Sequence, residues 1–212
     1  MVTLLDCLSN DSEQTAVIIP HKTTPITLSH SSLLSKTLSF QAKLAALGIN
    51  PKDAVCISFP NTIEFIIAFF AISFQRAIAS PLNPAYKEDE FKFYIEDLNA
   101  TLLLVPEADS KQKDEAVRAA RSCGAGIAEV CYNGEEMVIR VVDTGRLEGR
   151  QPAGFEKPES NDIALILHTS GTTGRPKAVP LTHRNLRRTT SMFLAIFWGM
   201  FTDHTRQYQI DI

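Results

Sequence analysis

Ile163-Ala164-Leu165-Ile166-Leu167 is a compact apolar run, and after His168 it leads into Thr169-Ser170-Gly171-Thr172-Thr173-Gly174-Arg175-Pro176-Lys177. An apolar run of this length, bounded by turn formers, reads as a buried strand. Gly171 and Gly174 let the backbone bend sharply and approach a ligand with no Cβ in between. Thr169, Ser170, Thr172 and Thr173 set four hydroxyls beside exposed backbone N–H groups, each able to donate to a phosphate oxygen. Lys177 adds a positive charge on a long stem, and Pro176 restricts the conformations of Arg175. A strand that ends in such a turn is a cradle for a polyphosphate. The expected binding residues are Thr169, Ser170, Gly171, Thr172, Thr173, Gly174 and Lys177. The phosphate loop of kinases and small GTPases has four residues between its glycines and a lysine directly after the second. Here two residues separate the glycines, and Lys177 lies three positions past Gly174. The plain alternative is a solvent-exposed turn. Seven specified positions recur by chance on the order of once in a million chains, and the place directly after a buried strand favours the cradle.

Upstream of the turn, strand-like and helix-like runs alternate. Ala16 to Ile19 is a short β-branched run closed by Pro20. Ser29 caps a helix whose face is Leu33, Leu34, Leu38, Gln41, Leu44 and Ala45, ended by Gly48. Ala54 to Phe59 reads as a buried strand. The helix from about Thr62 is apolar on most sides, through Ile63, Phe65, Ile66, Ile67, Phe69, Phe70, Ile72 and Phe74, which predicts deep burial. Ala77 to Leu82 reads as a strand and Glu88 to Leu98 as an amphipathic helix with an acidic first turn. Thr101 to Val105 is a strand, Lys111 to Cys123 a polar helix, and Ile127 to Tyr132 and Met137 to Val142 are β-rich. Gly145 to Ser160 holds three glycines and two prolines and reads as a surface connection. The alternation predicts an α/β layer architecture, sheets with packed helices.

Hydrophobic residues make up 44% of the 212 and charged residues 21%, the balance of a globular chain able to bury a core. The net charge of -3 gives no general attraction to nucleic acid or to an anionic membrane. Cys7, Cys56, Cys123 and Cys131 match no zinc or redox spacing. Cys56 and Cys131 sit in apolar runs and are expected as buried free thiols of a reducing, cytoplasmic compartment. Met1 to Asp11 has no basic segment followed by an apolar core, so no secretory leader is expected. No run is apolar enough for a stable membrane insertion. Glu88, Asp89 and Glu90 are consecutive and point in different directions on a helix, so no metal site is expected there. His168 and His183 flank the turn without a visible acid or nucleophile partner and are expected to be structural. Between Ile163 and Thr202 there is no acidic residue, while Arg175, Lys177, Arg184, Arg187 and Arg188 are basic. That positive field suits a phosphate cradle, although Arg187 and Arg188 read as a solvated helix face.

Leu167 to Leu186, LHTSGTTGRPKAVPLTHRNL, resembles the signature of the adenylate-forming superfamily, which holds acyl-CoA synthetases, peptide-synthetase adenylation domains and beetle luciferases. Leu47-Gly48-Ile49 with Asp53-Ala54-Val55 and Pro60-Asn61, and Asn83-Pro84-Ala85-Tyr86 with Phe91, Tyr94 and Ile95, resemble earlier segments of the same family. The wording around the turn is nearest to oxalyl-CoA synthetases and related peroxisomal CoA synthetases. The resemblance covers roughly residues 15 to 190 and implies the opening part of the family's large α/β domain, incomplete, with some sheet edges unpaired. It also implies a two-step reaction. A small carboxylic acid attacks the α-phosphate of ATP, releasing pyrophosphate and leaving an acyl-adenylate. A thiol, usually coenzyme A, then displaces AMP to give a thioester. The matching turn grips the β- and γ-phosphates, and Mg2+ shares the charge.

After Arg188 the match fades. Residues 191–212, with the apolar run Met192 to Phe201, read as a divergent, truncation-derived tail beyond a partial domain at residues 1–190. The family's catalytic residues are expected beyond the end of this chain, together with any peroxisomal signal of a full-length parent. The chain alone is then expected to be inactive. Two further readings stand beside the ligase: a non-catalytic nucleotide-binding or regulatory product, and a peptide-synthetase-type adenylation domain. Acid substrate and oligomeric state are not encoded in these residues.

Overall fold

A computed structural model describes residues 3–8, 13–20, 25–107, 114–169 and 176–189. A two-stranded antiparallel ribbon, β1 (Thr15–Ile19) and β2 (Ile26–Ser29), precedes α1 (His30–Ala46). Then come β3 (Ala54–Ile57), α2 (Ile63–Phe74), β4 (Ile78–Pro81), α3 (Glu88–Asp97), β5 (Leu102–Pro106), α4 (Glu115–Ser122), β6 (Gly126–Tyr132) and β7 (Met137–Asp143). The chain ends its described part with β8 (Ile163–Thr169), β9 (Lys177–Thr182) and a helical turn, α5, over residues 183–189.

Seven strands form one sheet in the order β7-β6-β5-β3-β4-β8-β9. The inner five run parallel, and β7 and β9 close the two edges antiparallel. The central strands are apolar on both faces because helices cover both. Val55, Ile57, Leu102, Leu104, Ala128 and Val130 pack with α1 and α2. Their alternates Ala54, Cys56, Leu103, Val105 and Ile127 pack with α3 and α4. Burial pushes the Cys56 thiol up to about 12, which makes it inert. Cys131 is only half-buried, contrary to the expectation from its apolar run.

Local chemistry sets the helix ends. The Ser29 hydroxyl accepts the Ser32 N–H at 3.2 Å and starts α1. The buried face of α1 is Leu33, Leu34, Thr37, Phe40, Gln41, Leu44 and Ala45. Leu38 falls off that stripe and is exposed, which corrects the predicted face. For α2 the buried side is Ile63, Ile67, Ala68, Ala71, Ile72 and Phe74, while Phe65, Ile66, Phe69 and Phe70 are half-covered. The predicted all-round burial is thus met on one side only. In α4 the Asp114 carboxylate accepts the Val117 N–H at 3.1 Å. This helix is amphipathic rather than polar, since Ala116, Val117, Ala119 and Ala120 are buried. Residues 111–113 of the predicted span lie outside the described residues. Among the described residues no helix is long and apolar enough to cross a membrane.

The glycine-rich connection from β7 to β8 crosses the N-terminal edge of the sheet, strand by strand. Gly145 abuts Ala125 ahead of β6. Arg146 donates to the Ala100 carbonyl ahead of β5 at 2.6 Å, and Arg150 pairs with Asp53 ahead of β3. Gln75, ahead of β4, donates to the Gly154 carbonyl at 3.3 Å, and Arg76 holds Asp162, ahead of β8, at 2.8 Å. The connection is exposed along much of its length, as its composition predicts, yet its polar side chains carry it from one edge of the sheet to the other.

His183, buried at the start of α5, accepts the Leu4 N–H on Nδ1 at 3.2 Å. Burial holds its pKa down, against the smaller opposing pull of the Asp162 and Asp6 carboxylates. An unfolded imidazole titrates near about 6.5, so on acidification the unfolded chain binds a proton that the folded chain refuses. The stability contributed by the neutral ring is complete above the unfolded value and is lost as pH falls through the folded one. The thermal midpoint is expected to drop between about pH 7.5 and about pH 5.5, and to drop less in His183→Gln. Parallel pH profiles for the two proteins would contradict this.

Candidate phosphate-binding site

Open parallel sheets bind ligands at the carboxyl ends of their strands, near the point where successive connections leave in opposite directions. Here β3 leads through α2 to β4 on one side, and β4 leads through α3 back across to β5 on the other. At the C-terminal ends of β3 and β4 lies a cleft of about 600 Å³ between Phe59, Asn61, Phe65, Leu82 and Asn83. Since Ala79 of β4 is level with Leu165 of β8, the end of β8 comes out beside this cleft.

The turn singled out in the sequence joins β8 to β9. Thr169 and Lys177 are paired in register as the last described pair of the hairpin, and the Thr169 hydroxyl lies 3.5 Å from the Lys177 carbonyl. Both side chains are exposed. Among the described residues no carboxylate pairs with Lys177, so its ammonium is available to an anion. Ser170, Gly171, Thr172, Thr173, Gly174 and Arg175 lie outside the described residues. The sequence places Lys177 in the turn; it is instead the first residue of an edge strand, where Pro180 is tolerated because the outer N–H needs no partner. Leu167 and Val179, also paired in register, form an exposed apolar pair on this hairpin.

Strand alternation sends His168 to the side opposite Thr169. Its Nε2 lies 2.9 Å from Asp97 Oδ2, and its ring stands 4.6 Å from Tyr94 and 6.3 Å from Phe93, centroid to centroid. The partner acid that sequence reading did not find is therefore at the end of α3, 71 residues earlier, with no local signal to mark it. After β9, Thr182 caps α5: its Oγ1 meets Asn185 Oδ1 at 2.7 Å and accepts the Asn185 N–H at 3.2 Å. Arg188 is exposed, as the solvated-face reading expects, and so is Arg184. Arg187 is half-buried with Nη1 3.1 Å from Cys7 Sγ, so it does not belong to a solvated face.

Lys177 and Thr169 supply a cation and a hydroxyl at the mouth of a parallel sheet, a donor set that fits a polyphosphate. Among the described residues no three or more His, Cys, Asp or Glu side chains gather as a metal site. The acidic turn Glu88 to Glu90 is used otherwise: Glu88 bonds Arg118 of α4 at 2.6 Å, and Glu90 accepts the Lys87 N–H at 2.9 Å.

A parallel sheet covered on both faces and closed at both edges by antiparallel strands defines an α/β protein. The chain belongs to the AMP-binding enzyme family, whose model matches residues 7–208. It is 35% identical over 201 residues to the oxalate–CoA ligase of Saccharomyces cerevisiae, covering 84% of this chain and 37% of that protein. It is 39% identical over 158 residues to the oxalate–CoA ligase of Arabidopsis thaliana, covering 74% and 30%. The crystal structure of ATP-bound MatB from Rhodopseudomonas palustris shares the fold with a TM-score of 0.68 at 24% identity, over 93% of this chain and 38% of that one. The chain thus spans about a third of the length of these relatives.

Proposed function

We propose that this chain carries the ATP-phosphate grip of an AMP-forming acid–thiol ligase, in which a carboxylic acid is activated as its adenylate and passed to coenzyme A. The observation that carries the reading is the in-register closure of Thr169 on Lys177 at the carboxyl end of the parallel sheet. Among the described residues no carboxylate competes for Lys177, which stabilises negative charge as it develops on the departing pyrophosphate. Thr169 and the hydroxyls and amides of residues 170–174 hold the same phosphates in place, so that the α-phosphate faces the incoming carboxylate. ATP arrives as its Mg2+ salt. The described residues present no donor set for that ion, and no step here is routed through it. The likeness to two oxalate–CoA ligases supports a small acid and coenzyme A as the partners.

The test is a transplant. The chain replaces the matching segment of the Saccharomyces cerevisiae oxalate–CoA ligase, and ATP–pyrophosphate exchange is followed against a panel of carboxylic acids. Acid-dependent exchange is expected. A folded chimera without exchange on any acid would contradict the reading and favour a non-catalytic role.

A further inference from the structure

We propose that His168 is a positioning residue for nucleotide binding: pinned to Asp97 of α3, it holds the end of β8 so that Thr169 and Lys177 face the phosphates. The proposal rests on the phosphate reading above.

The end of β8 needs such a pin. On its β4 side the ladder consists of the single pair Ala79 and Leu165. The next pairing along the strands would fall at Pro81, which has no N–H to give. Beyond Leu165, β8 is therefore held by β9, itself an exposed edge strand. The His168 imidazole supplies the missing hold from the helix layer. Its side chain is 5% exposed, is bonded to Asp97 and stands against Tyr94. The helix it grips is fixed in turn, with Phe91, Tyr94 and Ile95 buried and Glu88 bridged to Arg118 of α4.

The pin also sets register. Successive side chains of a strand alternate between faces, so a slip of one residue exchanges the two sides. With His168 turned into the α3 layer, Thr169 must face the other way, on the side it shares with its cross-strand partner Lys177. A slipped strand would expose the imidazole and turn Thr169 toward the aromatic rings. The His168–Asp97 bond penalises that arrangement by leaving a buried imidazole without its acid.

The experiment is the affinity of the 212-residue chain for magnesium-ATP, by calorimetry, with thermal midpoints measured alongside. His168→Ala is expected to weaken binding about tenfold. Asp97→Ala removes the same bond from the exposed partner and is expected to do likewise, which covers the case in which His168→Ala fails to fold. His168→Gln, whose amide reaches the same carboxylate, is expected to recover most of the affinity. Ile95→Val lowers the midpoint through the core of α3 but keeps the bond, and is expected to bind like the parent. If Lys177→Ala weakens binding while His168→Ala and Asp97→Ala do not, the positioning role is wrong and the phosphate site stands. If Ile95→Val weakens binding as much as His168→Ala, the imidazole merely supports the fold. If the parent and Lys177→Ala do not differ, the phosphate reading itself falls.

Discussion

Replacing Lys177 by alanine is expected to slow acid-dependent ATP–pyrophosphate exchange in the transplanted ligase by about two to three orders of magnitude, the usual cost of removing one donor aimed at charge that develops in the transition state. The size follows from the position of the side chain. Lys177 is exposed on β9 beside Thr169, and among the described residues it makes no ion pair that would neutralise it beforehand. Its charge is therefore wholly available to the phosphates. The same exposure predicts almost no change in stability, within about 0.5 kcal/mol, because a surface side chain without partners holds nothing together. Lys177→Arg keeps the charge but replaces a compact ammonium by a planar fork, and partial activity is expected. An unchanged exchange rate in Lys177→Ala, with the thermal midpoint unchanged, would remove the lysine from the mechanism.

Gly145→Ala is expected to be among the most destabilising single-methyl additions in the described chain, costing about 3 kcal/mol or more. Gly145 has φ +43, in the left-handed region where a side chain alone costs about 1–2 kcal/mol. A Cβ there would also stand 2.5 Å from the carbonyl carbon and oxygen of Ala125 and 2.6 Å from the Gly126 nitrogen. These are backbone atoms at the entry to β6 and cannot turn aside as a side chain end can. Gly124 supplies the control, with φ +71 and nothing within 4 Å of its virtual Cβ. Its alanine variant is expected to cost only the backbone term, about 1 kcal/mol. Chemical denaturation of the two variants separates clash from conformation. Equal losses would mean that the chain relaxes away from β6 more easily than its packing implies.

Much of this architecture is legible in the sequence because it is local. The runs that became β3 and β5 are short, apolar and closed by turn residues, so their burial follows from hydrophobic content alone, whereas β8, read as a buried strand on the same ground, buries only Ala164 and Leu165 and leaves Leu167 exposed where it meets the edge strand β9. Ser29 and the acidic start of α3 announce helix ends through side chains that meet backbone a few residues away. The rest depends on partners far apart in the chain. Leu38 and the Phe65–Phe70 flank of α2 are as apolar as their buried neighbours, and only the placement of α1 and α2 on the sheet decides which side is covered. The stretch from Gly145 to Ser160 has the composition of a loop. Its passage under successive strands is set by Arg146, Arg150 and Gln75, whose partners lie between 46 and 102 residues away. The site divides in the same way. Thr169 and Lys177 are marked by spacing, whereas Asp97, which holds His168, is one acid among 24.

The measurement that bears most directly on the phosphate grip is amide hydrogen exchange of the 212-residue chain with and without magnesium-ATP, read by mass spectrometry at peptide resolution. Slowed exchange concentrated between Thr169 and Lys177, and absent from the opposite edge of the sheet around Gly145 to Arg150, is the predicted result. Protection at the opposite edge, or none between Thr169 and Lys177 at saturating nucleotide, would contradict the account.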